Sequence, residues 1–241
     1  MMPARRVRSL VRGGAVAAGL AAGAYGAWVA VAWLRYGRTA AAAPDGSDAM
    51  LDEVMPHYDV VERHHIRVAA PATVTFAAAS EMTLMQSWPV RLIFRARERI
   101  MGATPQPSSA PQPFLSLARS IGWGLLAEVP RSQVVMGAVT QPWLADVVFR
   151  PLPPDEFVRF SEPGYVKIIW TIRADPLGDD HSIFRTETRA VATDPLARAR
   201  FRRYWSLASP GIVLIRWLML NPVKTAAERQ ARELRQPLVN S

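Results

Sequence analysis

The 241 residues contain no cysteine, which excludes disulfides, thiolate-held metals and a cysteine nucleophile and leaves the redox compartment open. The short patterns that mark several enzyme classes are missing as well. There is no phosphate-cradling glycine loop, no dinucleotide Gly-x-Gly-x-x-Gly, no Gly-x-Ser-x-Gly elbow and no His-Glu-x-x-His helix. Histidine occurs four times, and the adjacent pair His64 and His65 points to opposite faces of any strand that carries it, so the two cannot share a metal. Neither a metal nor another cofactor is expected.

Acidic residues are absent from the first 38 positions, which hold six arginines. Residues 39–194 carry 14 basic and 18 acidic groups, and residues 195–241 carry nine basic and two acidic, so the net charge of +9 belongs to the two ends. A nucleic-acid reader places its basic surface on the folded domain, interleaved with aromatics or along a recognition helix. The mildly acidic middle has no such surface, so no nucleic-acid partner is expected. Basic ends beside apolar helices match an anionic lipid surface instead.

Beyond a basic flank at residues 1–12, residues 13–34 form a run of 22 without a charged side chain. At ~1.5 Å per residue it spans ~33 Å as a helix, close to the ~30 Å hydrocarbon core. Trp28, Trp33 and Tyr36 gather at its C-terminal end, where amphipathic rings prefer the headgroup level. The run exceeds a usual signal-peptide core, and Arg35 and Arg38 intrude before the alanines that a peptidase would need, so an uncleaved transmembrane helix is the expectation. Four arginines before it and two after place the N-terminus in the cytoplasm and the rest of the chain outside, in a single-pass cell-membrane topology.

Composition divides the remainder into a linker at 35–54, one domain at 55–223 and a basic tail at 224–241. Residues 57–68 alternate as a half-buried strand, with Tyr58, Val60, Glu62, His64, Ile66 and Val68 on one face. A helix starting at Ala70-Pro71 follows, then one at 84–101 interrupted near Pro89, then a flexible flap at 102–113. Five short strands are expected at 124–129, 133–140, 144–150, 165–175 and 181–192, with a helical turn or two inserted at 153–160. Asp194 and Pro195 then open a long helix whose stripe runs Phe201, Trp205, Ala208, Ile212, Ile215 and Met219, with a kink at Pro210. Beyond the kink, Arg216 interrupts an apolar run in which Trp217 and Leu220 are expected to touch lipid.

This order of elements, with Arg67-Val68-Ala69-Ala70-Pro71-Ala72-Thr73-Val74-Thr75-Phe76 and Phe184-Arg185-Thr186-Glu187-Thr188-Arg189, resembles the START-like superfamily of ligand-binding and polyketide-cyclase-like proteins. The resemblance covers about residues 57–220 and implies an α+β helix-grip fold, a curved antiparallel sheet wrapped around a long C-terminal helix and enclosing a hydrophobic cavity. The superfamily shares no catalytic residue, so none carries over.

Among the chain's own residues, Glu62 and His64 share a strand face with Val60, Ile66 and Val68, where a carboxylate beside an imidazole can hold a ligand hydroxyl or act as an acid–base pair. Equally, the two can be satisfied by neighbouring polar groups without any function. Of tryptophans 88, 123, 143, 170 and 205, Trp170 and Trp205 are expected to face the cavity. Glu187, between Arg185 and Arg189, reads as a solvent-facing charge row beside Lys167 and Arg173. The expectation is therefore a non-catalytic, membrane-anchored binder of a hydrophobic small molecule or lipid, with Glu62, His64, Trp170 and Trp205 as ligand-binding residues. The alternatives are a cyclase- or hydrolase-like enzyme using Glu62 and His64, and an interaction domain whose cavity has collapsed.

Overall fold

A computed structural model of the chain describes residues 4–36, 40–41, 48–83, 87–104 and 112–235. In chain order the elements are α1 (Ala4–Arg35), β1 (Ala40–Ala41), α2 (Ala49–Val54), β2 (His57–Tyr58), β3 (Val60–Val68), α3 (Ala72–Glu81), α4 (Trp88–Met101), α5 (Phe114–Ser120), β4 (Gly124–Val129), β5 (Gln133–Thr140), α6 (Pro154–Arg159), β6 (Val166–Pro176), β7 (Ser182–Ala192) and α7 (Pro195–Arg235). Five strands make one open antiparallel sheet in the order β3-β7-β6-β5-β4, with α7 lying along one face. This is the helix-grip arrangement, α+β in class.

Register follows from hairpin chemistry and from the alternation of side chains. Asp175-Pro176-Leu177-Gly178-Asp179-Asp180 turns β6 into β7, and Gly178 there has φ +77, a left-handed conformation that favours glycine. The face toward α7 carries two apolar clusters. One joins Val68, Met136, Trp170, Ile172 and Phe184 to Leu220, Val223, Ala227 and Ala231 in the far half of α7. The other joins Val60, Val166, Ala190 and Ala192 to Ala197, Phe201 and Trp205 in its near half, sealed by Ala32 and Tyr36 from the end of α1.

The opposite face is covered too, and this overturns the expected solvent-facing row at Glu187 and Arg189, while Arg185 stays exposed. Helices α2 and α6 pack Leu51, Met55 and Phe157 over Val135, Val139 and Ile169. Beneath them Arg189 is fully buried: its Nε donates to Glu187 Oε1 at 2.7 Å, and its Nη1 donates to Asp52 Oδ1 at 2.6 Å and to the Met55 carbonyl at 3.0 Å. Arg63 completes the network on the other oxygen of Glu187. Lys167 lies over the Phe157 ring and donates to the Val158 carbonyl, and burial lowers its pKa. A charged residue inside a strand marks a solvated face only where nothing lies on it. Here α2, drawn from residues that composition assigned to the linker, lies on it.

Other departures are local. Pro89 opens α4 rather than interrupting it, because a missing N–H costs nothing in a helix's first turn. Residues 114–120 form a helix not expected from the sequence. Residues 144–150 are not a strand; only Arg150 exchanges hydrogen bonds with Val139, at 3.0 Å each way. Of the expected flap, residues 105–111 lie outside those described. Helix α7 runs unbroken through Pro210 and Pro222 and takes in most of the tail assigned to 224–241.

Candidate functional site

Antiparallel pairing of β3 with β7 sets Glu62 opposite Thr188 and His64 opposite Thr186, and pairing of β7 with β6 sets Thr188 opposite Trp170. All five therefore share the face toward α7. The Oε2 of Glu62 lies 3.9 Å from His64 Nε2, too far for a hydrogen bond. Tyr36, at the foot of α1, donates its hydroxyl to Glu62 Oε1. From above, Arg216 of α7 donates through Nη1 to Thr186 Oγ1 at 2.8 Å. A belt of polar groups thus crosses the sheet between the two apolar clusters, made of Glu62, His64, Thr186, Thr188, Arg216 and Tyr36.

Burial governs the electrostatics of this belt. It lowers the His64 pKa, with Arg216 and His65 adding in the same direction, so the imidazole is held neutral. Burial likewise lowers the Arg216 pKa to about 10, and the Glu62 carboxylate offsets part of that. The Tyr36 phenol is pushed up, first by burial and then by its bond to Glu62. Leaving a buried donor unpaired costs ~1–3 kcal/mol, yet His64 Nε2, Thr188 Oγ1, Trp205 Nε1 and Arg216 Nε have no hydrogen-bond partner among the described residues.

Trp170 and Trp205 are both buried on the α7 side, one on each side of the belt. Trp170 packs against Trp123 and Phe114, whereas Trp205 sits edge-on to Tyr36 with ring centres 6.0 Å apart. Trp123 in turn stacks on Phe149, and this depends on Gly122, whose φ of +101 brings its Cα within reach of the Phe149 carbonyl, where any Cβ would collide. The residue that sequence reading missed is Arg216, taken there as an interruption of an apolar run. An unbroken helix would have found it: Arg216 lies seven residues from buried Ser209 and four from buried Leu220, on the inward stripe.

Between α3, α4 and α7 a cleft of about 480 Å³ opens, lined by Ala78, Met82, Val90, Leu218, Met219 and Ala226, with Glu81, Arg229 and Gln230 also contributing. Met219 is about one helical turn from Arg216, so the cleft and the belt border adjacent parts of α7.

The sheet order, the register and the closing helix define a helix-grip protein, in agreement with the START-like resemblance. No protein-family profile and no curated protein matches the chain. Among solved structures it is similar to a norcoclaurine synthase point mutant from Thalictrum flavum bound to a transition-state analogue, at 14% identity over 71% of this chain and 95% of that one, with a TM-score of 0.32. It is also similar to a conserved protein from Geobacillus kaustophilus (9% identity, 72% and 96% coverage, TM-score 0.31) and to the Zhui aromatase/cyclase from Streptomyces sp. R1128 (14% identity, 71% and 94% coverage, TM-score 0.23). These likenesses are too weak to argue for an activity.

Proposed function

We propose that the chain is a membrane-anchored, non-catalytic binding protein that takes a hydrophobic small molecule or lipid in the cleft between α3, α4 and α7. The observation that supports this is the cleft: about 480 Å³, lined by aliphatic and methionine side chains together with Glu81, Arg229 and Gln230, it falls within the ~300–1,000 Å³ of ordinary small-molecule sites.

The anchor in this reading is α1. Its Val16, Leu20, Val31 and Leu34 are exposed, which suits lipid and is costly in water. Among the described residues, the helix that meets the length and hydropathy needed to cross a membrane is α7, but its inward stripe is packed on the sheet, as a core helix's would be. Helix α1 is not a free tether. Tyr25 donates to the Leu207 carbonyl at 2.8 Å, Trp28 to Ser209 Oγ at 3.0 Å, and Arg202 reaches the Trp33 carbonyl from above its ring. These contacts run antiparallel, so the N-terminal half of α1 extends in the direction of Leu214 and Trp217, both exposed on α7. The domain would then sit against the bilayer, on the outer side if the arginine bias sets the topology.

A second reading, a cyclase- or hydrolase-like reaction with Glu62 and His64 as acid and base, is favoured by the neutral imidazole beside a carboxylate. It has to overcome the 3.9 Å gap and the hydroxyl already seated on Glu62. The binding reading is tested by native mass spectrometry of the full-length chain released from detergent micelles. An apolar molecule at one per chain is expected, and less of it in an Ala226→Trp variant whose ring fills the cleft. Consistent absence of any such mass would favour an interaction domain with a collapsed cavity.

A further inference from the structure

Among the described residues, six buried side-chain nitrogens and oxygens have no hydrogen-bond partner, and four of them are His64 Nε2, Thr188 Oγ1, Trp205 Nε1 and Arg216 Nε. Native interiors leave few such atoms, and a local concentration of them marks a missing partner. All four belong to the belt or adjoin it through contacts already described. Thr188 faces Glu62 across the β3–β7 pair, Arg216 bonds Thr186 opposite His64, and Trp205 abuts the tyrosine that bonds Glu62. The remaining two orphans, Arg150 Nε and Arg189 Nη2, belong to other parts of the fold.

What the four atoms have in common is a surplus of donors. Guanidinium and indole can only donate, while hydroxyl and neutral imidazole can donate or accept. The complementary group is therefore an acceptor. Its charge is constrained as well: Arg216 already faces the Glu62 carboxylate, and a second full negative charge beside Glu62 would be repelled in a poorly solvated site.

We propose that the polar belt binds an uncharged carbonyl oxygen of a hydrophobic ligand, a ketone, ester or amide, with Arg216 as its principal donor and the ligand's apolar body running toward Met219 and the cleft. The inference rests on the binding reading above. Burial lowers the Arg216 pKa despite Glu62, as expected of a cation short of acceptors. Pro210 and Pro222 bracket the segment that carries Arg216. Each removes one backbone hydrogen bond, which eases displacement of that segment when a ligand enters.

The test uses the full-length chain in a mild detergent, with 2-tridecanone labelled with ¹³C at the carbonyl and tridecane as its hydrocarbon match. Probe retained after gel filtration is quantified by mass spectrometry, and isotope-edited infrared spectroscopy reads the carbonyl stretch. One to two hydrogen bonds to the carbonyl predict about tenfold stronger retention of the ketone than of tridecane. They also predict a stretch at lower frequency than in empty micelles. Arg216→Met should reduce ketone retention toward that of tridecane and remove the displacement of the stretch while leaving tridecane retention unchanged. The near-isosteric Thr188→Val should weaken the ketone alone, by a smaller factor. Equal retention of the two probes by the wild-type chain, or a stretch unmoved by Arg216→Met, overturns the carbonyl site but not the carrier. Stronger retention of tridecanoate than of the ketone overturns the uncharged class. Retention of no probe at all overturns the carrier reading itself.

Discussion

His64 shows how one buried side chain couples the belt to solution conditions. In the unfolded chain it titrates near its ordinary pKa of 6.5; in the folded chain burial lowers that value, and Arg216 and His65 lower it further. Glu62, 3.9 Å away, is the opposing carboxylate that faces it. The sign follows from proton counting. Below about pH 6.5 the unfolded state takes a proton that the folded state refuses, so stability falls as pH drops. Thermal unfolding of the full-length chain between about pH 7.5 and pH 5.5 should show a decline that His64→Gln flattens. An equal decline in the variant would remove His64 as its source. The pairing of Glu62 and His64 on one strand face is legible from the period-two pattern, because alternation is a property of the strand alone. The partners that make them a site, Tyr36 and Arg216, come from helices 26 and more than 150 residues away along the chain and carry no local signal. Arg189 is the converse lesson. Its alternation is the same as that of a solvated arginine, and only the arrival of α2 makes it a buried one.

At the scale of elements, α7 was expected to change character at Pro210, with a core half before it and a lipid-touching half after. Phe201 and Trp205 are buried as expected, but the inward stripe continues through Leu220, Val223, Ala227 and Ala231. Trp217 and Leu220, paired in the sequence reading as lipid-facing, therefore part company: Trp217 is 62% exposed and Leu220 6%. Leu220→Ala should destabilise the protein by about 2–5 kcal/mol through the cavity it leaves, while Trp217→Ser should stay within about 0.5 kcal/mol. Chemical denaturation of both variants checks this, and a similar loss in the two would mean that Trp217 is packed. The expectation failed at Leu220 because residues 212–220 are apolar on several faces, and such a run does not show which of its residues the sheet covers. The strand expected at 144–150 failed for a different reason. Pairing of β4 with β5 ends at Gly124 and Gly137, and in the short stretch of β5 beyond it only Arg150 bridges, to Val139.

For the whole molecule, the consequence of α1 lying on α7 is that the domain begins earlier than its composition announces. Ala32 and Tyr36 close the cluster around Phe201 and Trp205, and Tyr36 supplies the donor to Glu62. Removing residues 1–24 should leave the fold intact, since every α1 contact named here lies at Tyr25 or beyond. Removing everything before about Met50 should cost at least as much as a large core truncation, about 3–5 kcal/mol. Melting of the two shortened chains in the same detergent separates these outcomes. Equal stability would show that α1 is an appendage and that residues 35–54 link it loosely.

By itself the sequence determined the class of the molecule: a strand, helices, a meander and a long closing helix, with the net positive charge at the two ends and an uncharged run near the start. These are local properties, set by periodicity, proline placement and turn chemistry. The tertiary structure decided which faces are covered. It placed α2 over the buried Arg189, laid α1 along α7, turned Arg216 inward, and gathered Glu62, His64, Thr186 and Thr188 beneath it. The physical reason is that a side chain's burial depends on what packs against its face, and the elements that do so here are distant in sequence, so no window along the chain contains both partners.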